Sequence, residues 1–194
     1  MDHLTANKGI RKFIGDKAFY KMVLAVAVPI MVQNGISNFV GLLDNIMVGQ
    51  TGTEQMSGVA IVNQLFFVYY LCIFGGLAGA GIFTAQYFGT KDFEGIKTTF
   101  RFKFWMGLIL TLGAIAIFML FGKELIFTYL QGSEDGGDIM LALDAGQRYM
   151  KIMLLGFIPF MILQVYAGVL RECGETVIPM KAGIIAVLVN LAFN

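Results

Sequence analysis

The sequence predicts an all-α integral membrane protein, a polytopic bundle of about five transmembrane helices. Three observations predict it. Of 194 residues, 57% are hydrophobic and only 14% charged, whereas soluble domains carry about 25% charged residues. The mean hydropathy is +0.74. Apolar runs of about 20 residues, enough for a helix to cross a bilayer, recur along nearly the whole chain. A β-barrel would show short alternating segments instead. The net charge of +1, with no basic stripe carrying interleaved aromatics, offers no surface for nucleic acid.

Residues 1–18 read as a cytoplasmic tail. It is basic (Lys8, Arg11, Lys12, Lys17) and ends in a short amphipathic piece, Ile10, Phe13 and Ile14, suited to the membrane surface. The first span covers about 19–48. It is too long for a secretory signal, and no small-residue cleavage site follows a short apolar core. The second span covers about 56–88, longer than a bilayer needs, so it should tilt or project. Within it Gly75 and Gly79, and likewise Gly76 and Ala80, stand four apart. Small residues at that spacing let helix backbones approach closely. Gly89-Thr90-Lys91-Asp92 breaks the helix, and 91–103 is charged. The third span covers about 104–121, with Trp105 as an interfacial anchor.

Residues 122–144 are expected to form a loop. Its acidic, glycine-rich part, 131–138, lacks the spacing and terminal Glu of a calcium loop and reads as solvated. The fourth span covers about 149–170, interrupted by Gly156 and Pro159. A polar turn, 171–176, leads to Pro179 and a fifth span over 177–194, where the chain stops in mid-helix. Most basic residues fall in the tail, near 91–103 and near 171–181. By the positive-inside rule these parts are cytoplasmic, with the N-terminus inside the cell membrane.

The first span is not a plain anchor. It carries Pro29, the amides Gln33, Asn34 and Asn38, and Asp44 near its far end. An ionisable residue inside a span costs roughly 2.5–3.5 kcal/mol on insertion scales, which makes it a functional hypothesis. Asp44 also lies close to a loop, where a headgroup-level carboxylate would be idle. If buried, its pKa would rise, because desolvation penalises the charged form. It would then exchange a proton near neutral pH, or ligate Na⁺ through oxygen. Asn190 and Asn194 share one helix face, as do Asn34 and Asn38. Two such faces turned together would make a wet cavity; the alternative is interhelical glue worth roughly 0.6 kcal/mol each. Cys72 and Cys173 are not expected to pair, and His3 is the only histidine, so no metal cluster of ordinary spacing arises. No paired catalytic constellation for an intramembrane enzyme is present.

Several separated patterns, in order, resemble the MATE (multidrug and toxic compound extrusion) transporters. They are Ala27-Val28-Pro29-Ile30 with Leu43-Asp44-Asn45-Ile46-Met47-Val48-Gly49, then Gly58-Val59-Ala60-Ile61-Val62-Asn63-Gln64. Ala85-Gln86-Tyr87-Phe88-Gly89-Thr90-Lys91-Asp92 follows, then Leu170-Arg171-Glu172-Cys173-Gly174-Glu175-Thr176-Val177-Ile178-Pro179-Met180 and Asn190. The resemblance implies a transporter of two six-helix lobes around a central cavity, of which about five helices of the first lobe are present and the C-terminal lobe is missing. Repeat architecture of that kind supports alternating access. It implies antiport: export of small organic, often cationic, compounds in exchange for H⁺ or Na⁺, with no cofactor and with membrane lipid as solvent. Asp44 matches the first-span coupling acid, Asn190 a polar residue near it, and Tyr149 a cavity tyrosine. A Na⁺ site at Asp44 and Asn190 follows from the same resemblance. Asn194 stands where relatives carry Asp or Asn. Pro29 matches a proline associated with bending of the first span. The alternatives are a lipid-linked or polysaccharide flippase, which would want a more basic cavity, and a structural fragment without transport.

Overall fold

The structure, a computed structural model, describes residues 15–50, 52–131 and 138–193. All of its regular structure is helical: α1 Lys17–Gly49, α2 Thr53–Gly89, α3 Phe93–Gln131, α4 Ile139–Leu154, α5 Phe157–Glu172 and α6 Val177–Phe193. The amphipathic piece at 10–14, most of the acidic loop and Asn194 lie outside the described residues. Three helices are long and apolar enough to cross a membrane, namely Lys17–Met47, Thr53–Gly89 and Phe93–Gln131. α4 and α5, bent by 49° at a short break, make a fourth if counted as one span. The fifth expected span is apolar but short, Val177–Asn190. The described chain is an all-α membrane helix bundle: three such spans, four with the bent pair, and the short apolar α6 where the fifth was expected.

The helices divide between two compact units, Met1–Asn38 with Gly174–Asn194, and Phe39–Cys173. In the first unit α6 meets α1: a Cβ on Gly183 would lie 3.1 Å from Gln33 Nε2. Pro29 stays inside α1. Its missing N–H removes one i→i−4 bond without ending the helix.

In the second unit α2 and α3 pack along each other, and α4 and α5 pack on both. The core holds Val62, Phe66, Tyr69 and Ile73 from α2, Phe118, Ile126 and Leu130 from α3, and Met150, Phe157 and Met161 from α4 and α5. Glycines set how closely these helices come. A Cβ on Gly107 would stand 3.0 Å from Met161 Cγ, and one on Gly122 would stand 2.8 Å from Met150 Sδ. The closest approach is backbone on backbone. A Cβ on Gly58 would overlap the Ala142 carbonyl oxygen, and one on Gly146 would sit 3.1 Å from the Gly58 carbonyl oxygen.

The helix ends depart from the sequence reading in three places, each with a cause. α3 begins at Phe93 rather than about 104, because Asp92 caps it: Gly95 N donates to Asp92 Oδ1 at 3.0 Å. α3 also runs on to Gln131, through the expected loop, since Ile126 and Leu130 are buried in the core. α4 opens at Ile139, where Asp138 Oδ1 accepts from Met140 N at 3.0 Å and Leu141 N at 3.2 Å. The predicted interruption at Gly156 and Pro159 is a true break. A proline ring collides with the carbonyl four residues earlier, here Leu155, so the helix stops and restarts with Pro159 in the first turn of α5, where its missing N–H costs nothing.

The α2–α3 turn is tight. Thr90 Oγ1 donates back to Gln86 O at 3.2 Å, Asp92 N donates to Tyr87 O at 2.9 Å, and Lys91 takes φ 59°. That left-handed backbone is costly for a side chain other than Gly or Asn. Gly95 fits under the Tyr87 ring, 2.5 Å from its nearest atoms to any added Cβ.

The small-residue pairs of α2 behave differently from one another. Gly76 faces α3, where a Cβ would meet Leu110 Cδ1 at 3.1 Å, and Ala80 is buried beside it. Gly75 and Gly79 have nothing within 4 Å of an added Cβ. Their spacing therefore reflects no packed interface among the described residues. Gly75→Ala and Gly79→Ala are expected to leave stability unchanged or raise it by up to about 1 kcal/mol each through helix propensity. A thermal-unfolding comparison in detergent checks this; a drop of several degrees would count against it.

Candidate functional site

Asp44 lies in α1, in the second unit, and its backbone is helical; its side chain lies outside the described part of the structure. Asn190 lies in α6, in the first unit, and is exposed. It falls seven residues after Gly183, hence on the helix face that meets Gln33 of α1. Asn34 and Asn38 are exposed and Gln33 is half-buried.

Tyr149 is held inside the second unit. Its hydroxyl donates to Asn63 Oδ1 at 3.0 Å, joining α4 to α2 across 86 residues. Asn63 and Tyr149 thus form an interhelical bond, a partnership that neither residue signals alone. One layer further along α2, Tyr69 Oη bonds Thr111 Oγ1 of α3 at 3.0 Å and donates to Phe157 O of α5 at 3.3 Å. The Tyr69 ring stacks on Phe157 at 4.0 Å, and Tyr70 leans on Phe160 at 4.7 Å. Polar side chains on facing helices satisfy one another here, as a low-dielectric interior requires.

Two ionisable groups that sequence reasoning set outside the spans are drawn into the bundle. Lys103 of α3 is 1% exposed, and its Nζ pairs with Glu172 Oε2 of α5, whose side chain is 20% exposed. The charged segment 91–103 thus ends in a lysine that is buried between helices. Lys103 follows a charged run, and the carboxylate that makes its burial tolerable comes from 69 residues away. Glu172, with Phe74, Leu77, Gln164, Gly168 and Arg171, lines a groove of ≈ 230 Å³ between α2 and α5. Drug-sized ligands occupy sites of about 300–1,000 Å³, so this groove by itself is too small for one.

Cys173 follows directly. Burial pushes its thiol up, the Glu172 carboxylate adds to that, and Lys103 opposes it. The thiolate is the reactive form. Alkylation of Cys173 should therefore be slow at neutral pH and rise only above the usual thiol range. Glu172→Gln removes a charge that disfavours the thiolate, so it should speed labelling of protein that remains folded. Mass-resolved maleimide kinetics, which separate Cys173 from Cys72, read this out; slower labelling in Glu172→Gln would contradict the assignment.

A family model for MatE matches residues 29–194. This chain belongs to the MatE family. Among relatives, a probable multidrug resistance protein NorM of Thermotoga maritima is 26% identical over 164 residues, 82% of this chain and 33% of the relative. Another probable NorM, of Agrobacterium fabrum, is 25% identical over 88% of this chain and 35% of its own length. The multidrug export protein MepA of Staphylococcus saprophyticus is 30% identical over 90% of this chain and 38% of its own length. The chain spans about a third of the length of these curated relatives. No solved structure matches with comparable significance. The resemblance read from the motifs around Asp44, Asn63, Lys91 and Glu172 is thereby established at the level of family.

Proposed function

We propose that this MatE chain forms the first-lobe segment of a two-lobed multidrug exporter. In that reading the exporter sits in the cell membrane with its N-terminus inside. It expels small organic, often cationic, compounds in exchange for H⁺ or Na⁺ and needs a C-terminal lobe to complete the pathway. The observation that carries the reading is the MatE match over 29–194, together with relatives named for multidrug resistance and export. Each of those relatives is about three times as long as the stretch they share with this chain.

Asp44 is the proposed coupling carboxylate. Asn190 and Asn194 are the proposed amide partners that would share a proton's hydrogen bonds or complete an oxygen shell around Na⁺. Pro29 is the proposed bending point of α1: with no N–H to donate, it leaves one carbonyl of the preceding turn able to change partner. Tyr149, fixed on Asn63 at 3.0 Å, is proposed to border the cavity.

The rival of a flippase for anionic lipid-linked substrates wants unneutralised basic groups inside the bundle. Among the described residues the buried lysine, Lys103, is already matched by Glu172, which favours the exporter. The deciding experiment joins this chain to a second lobe and follows a cationic dye in inverted vesicles. Dye movement that collapses when the proton and sodium gradients are both dissipated supports the exporter. Dye movement indifferent to both gradients, or movement of lipid-linked anions instead, would overturn it. The chain alone is expected to move no dye.

A further inference from the structure

Three helices meet at the Lys103–Glu172 pair. Lys103 comes from α3 and Glu172 from α5, and Gly81 of α2 presses against both. A Cβ on Gly81 would run into the Glu172 carboxylate and stand 3.4 Å from Lys103 Nζ. Gly168, one turn before Glu172, would bring its own Cβ 3.9 Å from the same carboxylate oxygen. The pair therefore fills the space between the three backbones, and the absence of a side chain at Gly81 is what admits it.

Its level along the bundle is also defined. α5 ends at Glu172, whereas α2 and α3 continue past Gly81 and Lys103 to their shared turn, roughly 12–15 Å further at 1.5 Å per residue. Trp105, two residues from Lys103, is 61% exposed, as suits an indole at the edge of the hydrocarbon. The pair thus sits at the end of α5, roughly 12–15 Å along the bundle from the α2–α3 turn.

We propose that Lys103, Glu172 and Gly81 form a permanent joint that fixes the register of α2, α3 and α5, and that Glu172 is not a station for the coupling ion. Two features carry this. Glu172 already has a fixed cation, and a proton or metal ion arriving there would strand an ammonium that is 1% exposed. Removing one partner of a buried pair is far more damaging than removing both. The second feature is packing: Gly81 lies directly against the carboxylate, so the α2 backbone holds Glu172 on Lys103. A joint of this kind makes the three helices move as one block in whatever cycle the protein performs.

The test compares Lys103→Met, Glu172→Gln, Gly81→Ala and the double variant Lys103→Met/Glu172→Met, in the full chain extracted from membranes. Each single change should lower the folded-to-unfolded ratio by roughly a hundredfold or more, since each strands a charge or pushes the pair apart. The double variant should recover to within about tenfold of the parent. Coupled efflux by a two-lobed transporter carrying the double variant should persist. Single variants as stable as the parent would overturn the proposal. So would a double variant as damaged as the singles, because the loss would then come from packing rather than stranded charge. A well-folded double variant without efflux would overturn it as well, because Glu172 would then be working in transport. Folded yield reports on the joint whatever the chain carries.

Discussion

Asp44→Asn, in a two-lobed transporter carrying this chain, is expected to reduce gradient-driven dye efflux to the level of empty vesicles, at least a tenfold loss, with unchanged amounts of protein in the membrane. Asparagine keeps the size and most of the hydrogen bonding of aspartic acid, so α1 should insert and pack as before. It cannot bind a proton at physiological pH, and it offers a cation an amide oxygen without the negative charge. A carboxylate in a span costs roughly 2.5–3.5 kcal/mol to insert; removing it should therefore ease insertion while ending coupling. Asp44→Glu serves as the control that restores the charge. If Asp44→Asn retains efflux that still responds to the gradient, the carboxylate is a headgroup-level bystander and the coupling role fails.

Gly58→Val is expected to destabilise the second unit by about 3 kcal/mol or more. Overpacking a core costs typically 1–3 kcal/mol where side chains can yield. Here the added Cβ meets the backbone of α4, the Ala142 carbonyl oxygen and Gly146 N at 3.0 Å, and backbone cannot rotate aside. α2 and α4 would have to separate along their whole contact, loosening the Tyr149–Asn63 bond between them. Gly146→Val attacks the same crossing from the other side, 3.1 Å from Gly58 O. The two substitutions should therefore be strongly non-additive, since the second pays little once the helices have parted. Thermal unfolding of singles and the double measures this; simple addition would mean that the crossing is not shared.

How much of this was legible beforehand depended on range. The helical membrane class was legible because apolar runs are local and each helix satisfies its own backbone. The break at Gly156 and Pro159 was legible for the same reason, as steric conflict acts within one turn. The glycines of α2 were legible as a set but not by face. Spacing singled out Gly75 with Gly79 and Gly76 with Ala80; of these glycines only Gly76 makes a close approach, alongside Gly58 and Gly81, which spacing did not mark. Which face of a helix is packed depends on partners in α3, α4 and α5 that spacing along α2 does not encode. The burial of Lys103 was not legible because the carboxylate that makes it tolerable, Glu172, lies 69 residues away. Asn63 and Tyr149 were each noticed, and their bond was not.

The lengths of α2 and α3, 37 and 39 residues, have a consequence for the water phase. At 1.5 Å per residue each is roughly 55–58 Å long, against a hydrocarbon core of about 30 Å. Each helix therefore exceeds the hydrocarbon core by roughly 25 Å, and the two share the turn at Lys91. At that end Lys91 is bent at the tip, with Phe93 and Lys97 on its flanks, all exposed. Roughly 25 Å of each helix must therefore lie in headgroup or water rather than hydrocarbon if the pair crosses a bilayer upright.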